Sequence, residues 1–162
     1  MTKVIETGTG FDLNIDRIID APRSVVWRCW TEKEFLSEWY CPKPWKADVH
    51  QLDLWPGGKS SMTFIGPDGE QMPQDGIHLY VEPEKILIFT DAYKEGFVPQ
   101  PQSFMTGYVL LEDASDGKTR MVWGAKHATE EGMKQHIDMG FEQGWGAAAE
   151  QLNELAKSVA AA

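Results

Sequence analysis

Apolar and polar side chains alternate near the start of the chain, over residues 10–20. Phe11, Leu13, Ile15 and Ile19 occupy every second position, with Arg17 between the last two. A period of two is typical of a strand that buries one face. This segment is therefore the first predicted strand.

Two short helices are predicted after this strand. Pro22 suits a helix start, because its fixed φ and missing N–H cost nothing in a first turn, and an apolar stripe follows over residues 25–29. Thr31 and Glu34 have the spacing of a capping box, which predicts a second helix over residues 32–39.

Short β-like runs separated by turn residues fill the middle of the chain. Turn signals lie at residues 56–58, 66–69, 83–84 and 113–117, and residues 93–101 have no period and predict a loop. The six further predicted strands are residues 46–54, 59–65, 74–82, 85–90, 103–112 and 118–126.

From Thr129 onwards the apolar positions step by three and four, from Met133 to Val159. This spacing predicts one helix of roughly 28 residues, about 40 Å long. The apolar face of a seven-stranded sheet needs a cover, and only this helix is large enough. We therefore expect the sheet to curl around the helix and to leave a hollow between them.

The whole pattern predicts one α+β domain over residues 1–162. Its expected architecture is a seven-stranded antiparallel curved sheet wrapped around a long C-terminal helix, with two short helices between the first two strands.

Charge and composition restrict the partners. Fifteen basic and 25 acidic side chains give a net charge of −10, which repels nucleic acid and anionic lipid. No apolar run approaches the roughly 18 residues that a membrane span needs, and no hydrophobic signal core is seen at the amino terminus. We expect a cytoplasmic monomer or homodimer without a nucleic-acid or membrane partner. Its two cysteines, Cys29 and Cys41, are expected to be reduced.

Several short motifs together resemble a known family, and they extend over nearly the whole chain. They are Ile19-Asp20-Ala21-Pro22, Val26-Trp27, Trp30-Thr31, Trp39, Asp53-Leu54-Trp55-Pro56-Gly57-Gly58, Asp68-Gly69, Gly76, Glu82-Pro83, Phe89-Thr90 and Gly144-Trp145. The chain thereby resembles the activator of Hsp90 ATPase homologue-like proteins of the START and birch-pollen-allergen (SRPBCC) superfamily. The resemblance implies a helix-grip fold whose cavity, between sheet and long helix, binds small apolar ligands.

Aromatic and methionine side chains are the candidate ligand contacts. The chain has seven Trp, seven Phe and seven Met, and such side chains make an adaptable apolar lining. The alternative is that they only fill a core. With a histidine and two tyrosines on the strands, the candidate ligand-binding residues are Trp39, Met62, Phe64, His78, Tyr80, Phe89, Phe104, Tyr108, Met121, Trp123, Met133, Phe141 and Trp145.

His78 and Tyr80 stand two residues apart and are expected on the same face of one strand. If that face points inward, the cavity has an imidazole and a phenol that can bind a polar atom or move a proton. If it points outward, both groups contact solvent or neighbouring side chains. The sequence leaves both orientations open.

Metal and nucleophile chemistry have no motif in the sequence. His127 and His136 flank the start of the last predicted helix, and His50 lies on an early strand. Zinc sites need three or four ligands at recognised spacings, which these residues lack. There is also no Gly-x-Ser-x-Gly elbow. We expect neither a metal nor a cofactor.

Three functions remain as hypotheses. The first is a protein that binds a small, mainly hydrophobic molecule. The second is a cofactor-free cyclase, hydrolase or isomerase in which His78, Tyr80 or His127 moves a proton. The third is a stress-related chaperone or protein-interaction module, for which an exposed apolar patch around Trp39, Tyr40, Trp45 and Trp55 would be expected.

Overall fold

The computed structural model describes residues 3–162, and its elements follow the predicted order. The strands are β1 (Asp12–Ile19), β2 (Lys46–Leu52), β3 (Lys59–Ile65), β4 (Gln71–Glu82), β5 (Ile86–Thr90), β6 (Tyr93–Lys94), β7 (Val98–Pro99), β8 (Thr106–Asp113) and β9 (Thr119–Lys126). The helices are α1 (Arg23–Thr31), α2 (Lys33–Trp39), α3 (Glu130–Asp138) and α4 (Phe141–Ala161).

The seven long strands form one antiparallel sheet in the order β1-β9-β8-β5-β4-β3-β2. The predicted architecture is confirmed, including the two short helices between the first two strands and the long helix α4. The segment between β5 and β8 differs from the prediction. The predicted loop over residues 93–101 contains a small hairpin, in which Tyr93 pairs with Pro99 and Lys94 with Val98.

Three helices, rather than the last one alone, cover the concave face of the sheet. Val26, Trp30 and Trp39 from α1 and α2 are almost fully buried in the same core as Leu152 of α4. Helix α4 packs against β1, α1 and α2. The expectation that only the last helix is large enough to cover the sheet is wrong, because the short helices bury two tryptophans, Trp30 and Trp39, and cover a large area.

The predicted single helix after Thr129 is two helices. Gly140 has a φ of 86° and separates α3 from α4. Thr129 caps α3 by accepting a hydrogen bond from the Gly132 N–H at 3.0 Å. The apolar residues keep one continuous helical spacing along the sequence, but they lie in two separate helices. The left-handed Gly140 interrupts the backbone hydrogen bonds between α3 and α4.

The predicted capping box at the start of α2 does not form. The Thr31 hydroxyl donates instead to the Trp27 carbonyl in α1, at 2.7 Å. Glu32 is the N-cap residue of α2 and makes no side-chain cap bond. Helix α1 continues through Thr31, so this hydroxyl lies within the preceding helix, where it bonds a carbonyl four residues back.

We predict opposite effects of alanine at two glycines near the helix break. Gly140→Ala places a side chain at a φ of 86° and should lower the free energy of unfolding by about 1 kcal/mol. Gly144→Ala is the matched control, because Gly144 is inside α4 and its added Cβ would meet only Pro42 Cγ at 3.9 Å. It should raise stability by up to about 1 kcal/mol. Urea denaturation measures both, and equal effects would contradict this account of the break.

Candidate functional site

Seven aromatic side chains from the sheet and the helices meet on the concave face. Their rings contact one another in series: Trp123 stacks on Trp145 at 4.2 Å between centroids, and Trp30 meets Trp123 edge-on at 5.1 Å. Elements distant in the sequence thus share one apolar region. We call this set the aromatic layer, and it consists of Trp30, Trp39, Tyr40, Phe64, Phe89, Trp123 and Trp145.

The tryptophans of the aromatic layer fill much of the space in which a hollow was expected. Trp30, Trp39 and Trp123 are at most 3% exposed and pack edge to face. Two surface pockets, with volumes of about 320 Å³ and 490 Å³, lie elsewhere. The first is beside Arg23 and Arg120, and the second is beside Lys43 and the outer side of α4. Neither opens between the sheet and α4.

Two indole N–H groups in the aromatic layer have no hydrogen-bond acceptor. Trp30 Nε1 and Trp123 Nε1 are buried and unpartnered within residues 3–162. Trp39 differs, because its indole N–H donates to the Cys29 carbonyl at 2.9 Å. A buried donor without an acceptor costs roughly 1 to 3 kcal/mol, and native proteins contain few of them. Two such donors on neighbouring rings form a polar feature in an otherwise apolar region.

Tyr40 and the two phenylalanines form the open side of the layer. Phe64 and Phe89 are half-buried, as is Tyr40, which packs on Phe64 and Trp123. Burial raises the pKa of Tyr40, and the nearby Cys41 thiol adds to the effect. Its hydroxyl has no hydrogen bond to any other residue that the structure describes. Tyr40 as a whole residue is therefore only half-buried, although its hydroxyl group lies deep among protein atoms.

A pair of buried histidines adjoins the layer at Trp145. His127 Nε2 and His136 Nδ1 are 2.9 Å apart, and His127 Nδ1 is 2.9 Å from the Phe11 carbonyl. The His136 ring contacts Phe141 and Trp145. Burial, together with repulsion from His127, lowers the pKa of His136 from 6.5 to about 4.

The family model for "Activator of Hsp90 ATPase homolog 1-like protein" matches residues 20–157. The chain belongs to this family. The resemblance inferred from the motifs is confirmed, and the fold is that of the SRPBCC superfamily. A search of curated proteins found no match.

Solved structures similar to this activator-homolog-like chain cover nearly its full length. A crystal structure of a protein from Nitrosomonas europaea is 39% identical, with a TM-score of 0.88, over 93% of this chain and 97% of that one. A Mycobacterium smegmatis protein is 27% identical, covers 90% of each chain and has a TM-score of 0.75. A solution structure from Arthrobacter aurescens is 25% identical, with a TM-score of 0.79, over 96% of this chain and 93% of that one.

In this family member His78 and Tyr80 lie on opposite faces of the sheet, so the expectation of a shared face is wrong. The register of β4 against β5 shifts between these two residues: His78 pairs with Phe89, and Tyr80 pairs with Ile88, the residue just before Phe89. Leu79 is the extra residue of this β-bulge. One added residue reverses the alternation of side chains. A bulge leaves no reliable mark in the sequence, which is why the pattern predicted a shared face.

The His78 side chain lies on the concave face, but its ring is hydrogen-bonded to a nearby turn. The ring is 3% exposed, and its Nδ1–H donates to the Asp53 carbonyl at 2.8 Å. Burial lowers the pKa of His78, and the bond to Asp53 only partly opposes this effect. The backbone of His78 also bonds Gly57 and Gly58. His78 therefore fastens the turn at residues 53–58 to β4.

Tyr80 and Tyr108 belong to the convex face and not to the predicted cavity. Tyr108 is fully buried in a second core with Ile88 and Val122, and Tyr80 packs against it. The Tyr108 hydroxyl donates to the buried Asp12 carboxylate at 2.7 Å. The placement of these two residues in a site between sheet and helix is wrong, because their register puts them on the other side.

The remaining predicted ligand contacts are on the helix-covered side. Met62 and Met121 are buried in the concave core, and Phe104 and Phe141 contact His136. Met133 is half-buried on α3. Trp30, Tyr40 and His136 were not among the predicted ligand contacts. Trp30 was visible only as part of a motif, and His136 only as a histidine near a helix start. Neither signal reveals a nitrogen atom that lacks a hydrogen-bond partner.

No three His, Cys, Asp or Glu side chains in residues 3–162 converge as metal ligands. Cys29 and Cys41 are both free and buried, and burial raises the pKa of the Cys29 thiol to about 11. No helix in the part of the chain that the structure describes is long and apolar enough to cross a bilayer.

We predict that His136 makes the fold sensitive to mild acid. Below about pH 6.5 the unfolded chain binds a proton that the folded His136 does not bind until about pH 4. The free energy of unfolding should therefore fall as pH is lowered through this window, by about 3 kcal/mol. In His136→Phe this part of the slope should disappear. Urea titrations from pH 7 to pH 4 test this, and parallel curves for the two proteins would contradict it.

We also predict that Tyr108→Phe destabilises the protein by removing a hydrogen bond on the convex face. The substitution removes the hydroxyl donor from the buried Asp12 carboxylate, so the free energy of unfolding should fall by about 1 to 3 kcal/mol. Tyr80→Phe is the control, because no described partner bonds the Tyr80 hydroxyl. Thermal denaturation of the two variants compares them, and a loss as large in Tyr80→Phe would contradict the assignment.

Proposed function

We propose that the protein binds a small, mainly apolar molecule that carries a hydrogen-bond acceptor, against the aromatic layer on the concave face. The proposal follows the family, whose fold commonly binds hydrophobic ligands. One observation carries the acceptor requirement, namely the two unpartnered indole N–H groups of Trp30 and Trp123.

An acceptor from outside the protein would relieve the cost of these two donors. Their rings are 5.1 Å apart between centroids, so the two donors belong to the same region of the aromatic layer. A bound carbonyl or ether oxygen would replace the hydrogen bonds to water that the indoles lose on folding. The stability lost in the free protein would then be regained on binding.

The charge around the layer favours a neutral ligand. The seven side chains of the aromatic layer are uncharged, and the protein has a net charge of −10. An anion would find no cation on these rings and would be repelled by the whole molecule. The half-buried faces of Tyr40, Phe64 and Phe89 offer stacking surface for a flat apolar body.

We further propose that the protein acts in the cytoplasm, as a monomer or homodimer, and that its net charge of −10 disfavours a nucleic-acid partner. The two other hypotheses have weaker support. His78 and Tyr80 lie on opposite faces, so they do not make one acid–base site. Of the four residues considered for an interaction patch, Trp39 is buried, Tyr40 and Trp45 are half-buried, and Trp55 is exposed. We therefore propose no second function.

A matched pair of probes tests the proposal. 2-Acetylnaphthalene has a carbonyl acceptor, and 2-ethylnaphthalene has a similar shape without it. We expect both to quench tryptophan fluorescence, and the ketone to bind about fivefold more tightly, since one good hydrogen bond contributes about 1 kcal/mol.

Variants identify the donors behind this preference. In the double variant Trp30→Phe, Trp123→Phe the two probes should bind with nearly equal affinity. Tyr80→Phe, on the convex face, should keep the wild-type preference, and circular dichroism checks that each variant is folded. If the double variant does not fold, each single variant should lose part of the preference. Equal affinities in the wild-type protein, or no binding of either probe, would refute the proposal.

A further inference from the structure

His127 and His136 form a linked pair whose two bonds leave one nitrogen atom open. His127 follows the end of β9, and His136 is in the last turn of α3. The chain of contacts runs from the Phe11 carbonyl to His127 Nδ1, and from His127 Nε2 to His136 Nδ1, each at 2.9 Å. His136 Nε2 has no partner within residues 3–162.

The Phe11 carbonyl decides where the protons lie. A carbonyl only accepts, so His127 Nδ1 carries a proton and donates it. In a neutral imidazole the other nitrogen, His127 Nε2, is then an acceptor. His136 must therefore donate from Nδ1, which leaves its Nε2 with a lone pair and no proton.

Both rings are neutral in this arrangement. They are 7% and 6% exposed, and a charged imidazolium at such a depth is costly unless it is paired. The ion pairs of residues 3–162 include no carboxylate bonded to His127 or His136. The groups against His136 are His127 and the rings of Phe104, Phe141 and Trp145, which supply no counter-charge.

The open nitrogen adjoins the proposed ligand site through one side chain. Trp145 contacts His136 at 5.5 Å and stacks on Trp123 at 4.2 Å. The acceptor His136 Nε2 therefore belongs to a ring that is joined through Trp145 to the aromatic layer, which carries the two unpartnered indole donors. The phenyl rings of Phe104 and Phe141 contact the His136 ring, each at 4.9 Å between centroids.

We propose that His136 Nε2 is a hydrogen-bond acceptor for a hydroxyl or N–H group of the ligand, and that His127 is the positioning residue that keeps this nitrogen unprotonated. The inference rests on the proposed function and narrows its ligand to a molecule with a donor at one end, such as a phenol, as well as an acceptor. The lowered pKa of His136 supports it, because the ring then stays neutral at physiological pH.

The tautomers can be read without any ligand. In proton–nitrogen correlation NMR spectra of the free protein near neutral pH, both rings should appear with the proton on Nδ1, and His136 Nε2 should show the shift of an unprotonated nitrogen. In His127→Phe the Nδ1–H of His136 loses its acceptor, and the Nε2–H tautomer should become populated. A proton on His136 Nε2 in the wild-type protein would overturn the inference whatever ligands bind.

Binding tests the ligand class with different probes. 2-Naphthol should bind about threefold to tenfold more tightly than 2-methoxynaphthalene, which cannot donate. His136→Phe keeps a ring of similar shape and should abolish this preference while naphthalene still binds. His127→Phe should reduce it, and Tyr80→Phe should retain it. If His136→Phe does not fold, loss of the preference in His127→Phe serves the same purpose.

The outcomes separate this inference from the proposed function. Equal binding of 2-naphthol and 2-methoxynaphthalene, with the ketone preference intact, would overturn the donor requirement alone. Failure of every naphthalene to bind would count against the proposed function and the ligand class together, and the NMR spectra would still decide the tautomers of the pair.

Discussion

The contact of two helical tryptophans with one strand tryptophan holds this fold together. Trp30 and Trp39 arise from short helices that would be unstable alone, and both pack edge to face on Trp123 of β9. Without these rings the concave face would lose the cover that α1 and α2 provide beyond the contacts of α4 with β1 and with Trp123. The aromatic contact therefore fixes the position of α1 and α2, and through them the shape of the space that a ligand could use.

The same contact creates a conflict between packing and polarity. A tryptophan contributes more apolar surface than other side chains, but it carries an N–H that must be desolvated. Trp39 resolves this within α1 and α2 by bonding the Cys29 carbonyl. Trp30 and Trp123 do not, and their neighbours are rings rather than acceptors. A core built only for stability would use a residue without this donor.

Local patterns predicted most of the fold and little of the site. The strands were found because alternation over β1 and the glycine and proline turns are local signals. The left-handed Gly140 and the bond of Thr31 to Trp27 lie within short segments, but the residue spacing around them suits the predicted long helix and capping box equally well. The β-bulge at Leu79 depends on the pairing of β4 with β5, so the sequence of β4 alone does not contain it. The unpartnered nitrogens of Trp30 and His136 are missed for the same reason, since a missing partner is a property of the tertiary surroundings.

The anchoring of the amino-terminal segment joins the two faces of the sheet. Asp12 is fixed on the convex side by Tyr108 and by the Lys126 ammonium at 3.2 Å. The carbonyl that orients His127 belongs to Phe11, the residue just before it. The peptide unit between Phe11 and Asp12 thus connects the bonded Asp12 carboxylate on the convex face to the His127 imidazole on the other side of the sheet. Loss of the bonds to the Asp12 carboxylate would free the Phe11 carbonyl, and the protons on His127 and His136 would then rearrange although neither histidine had been substituted.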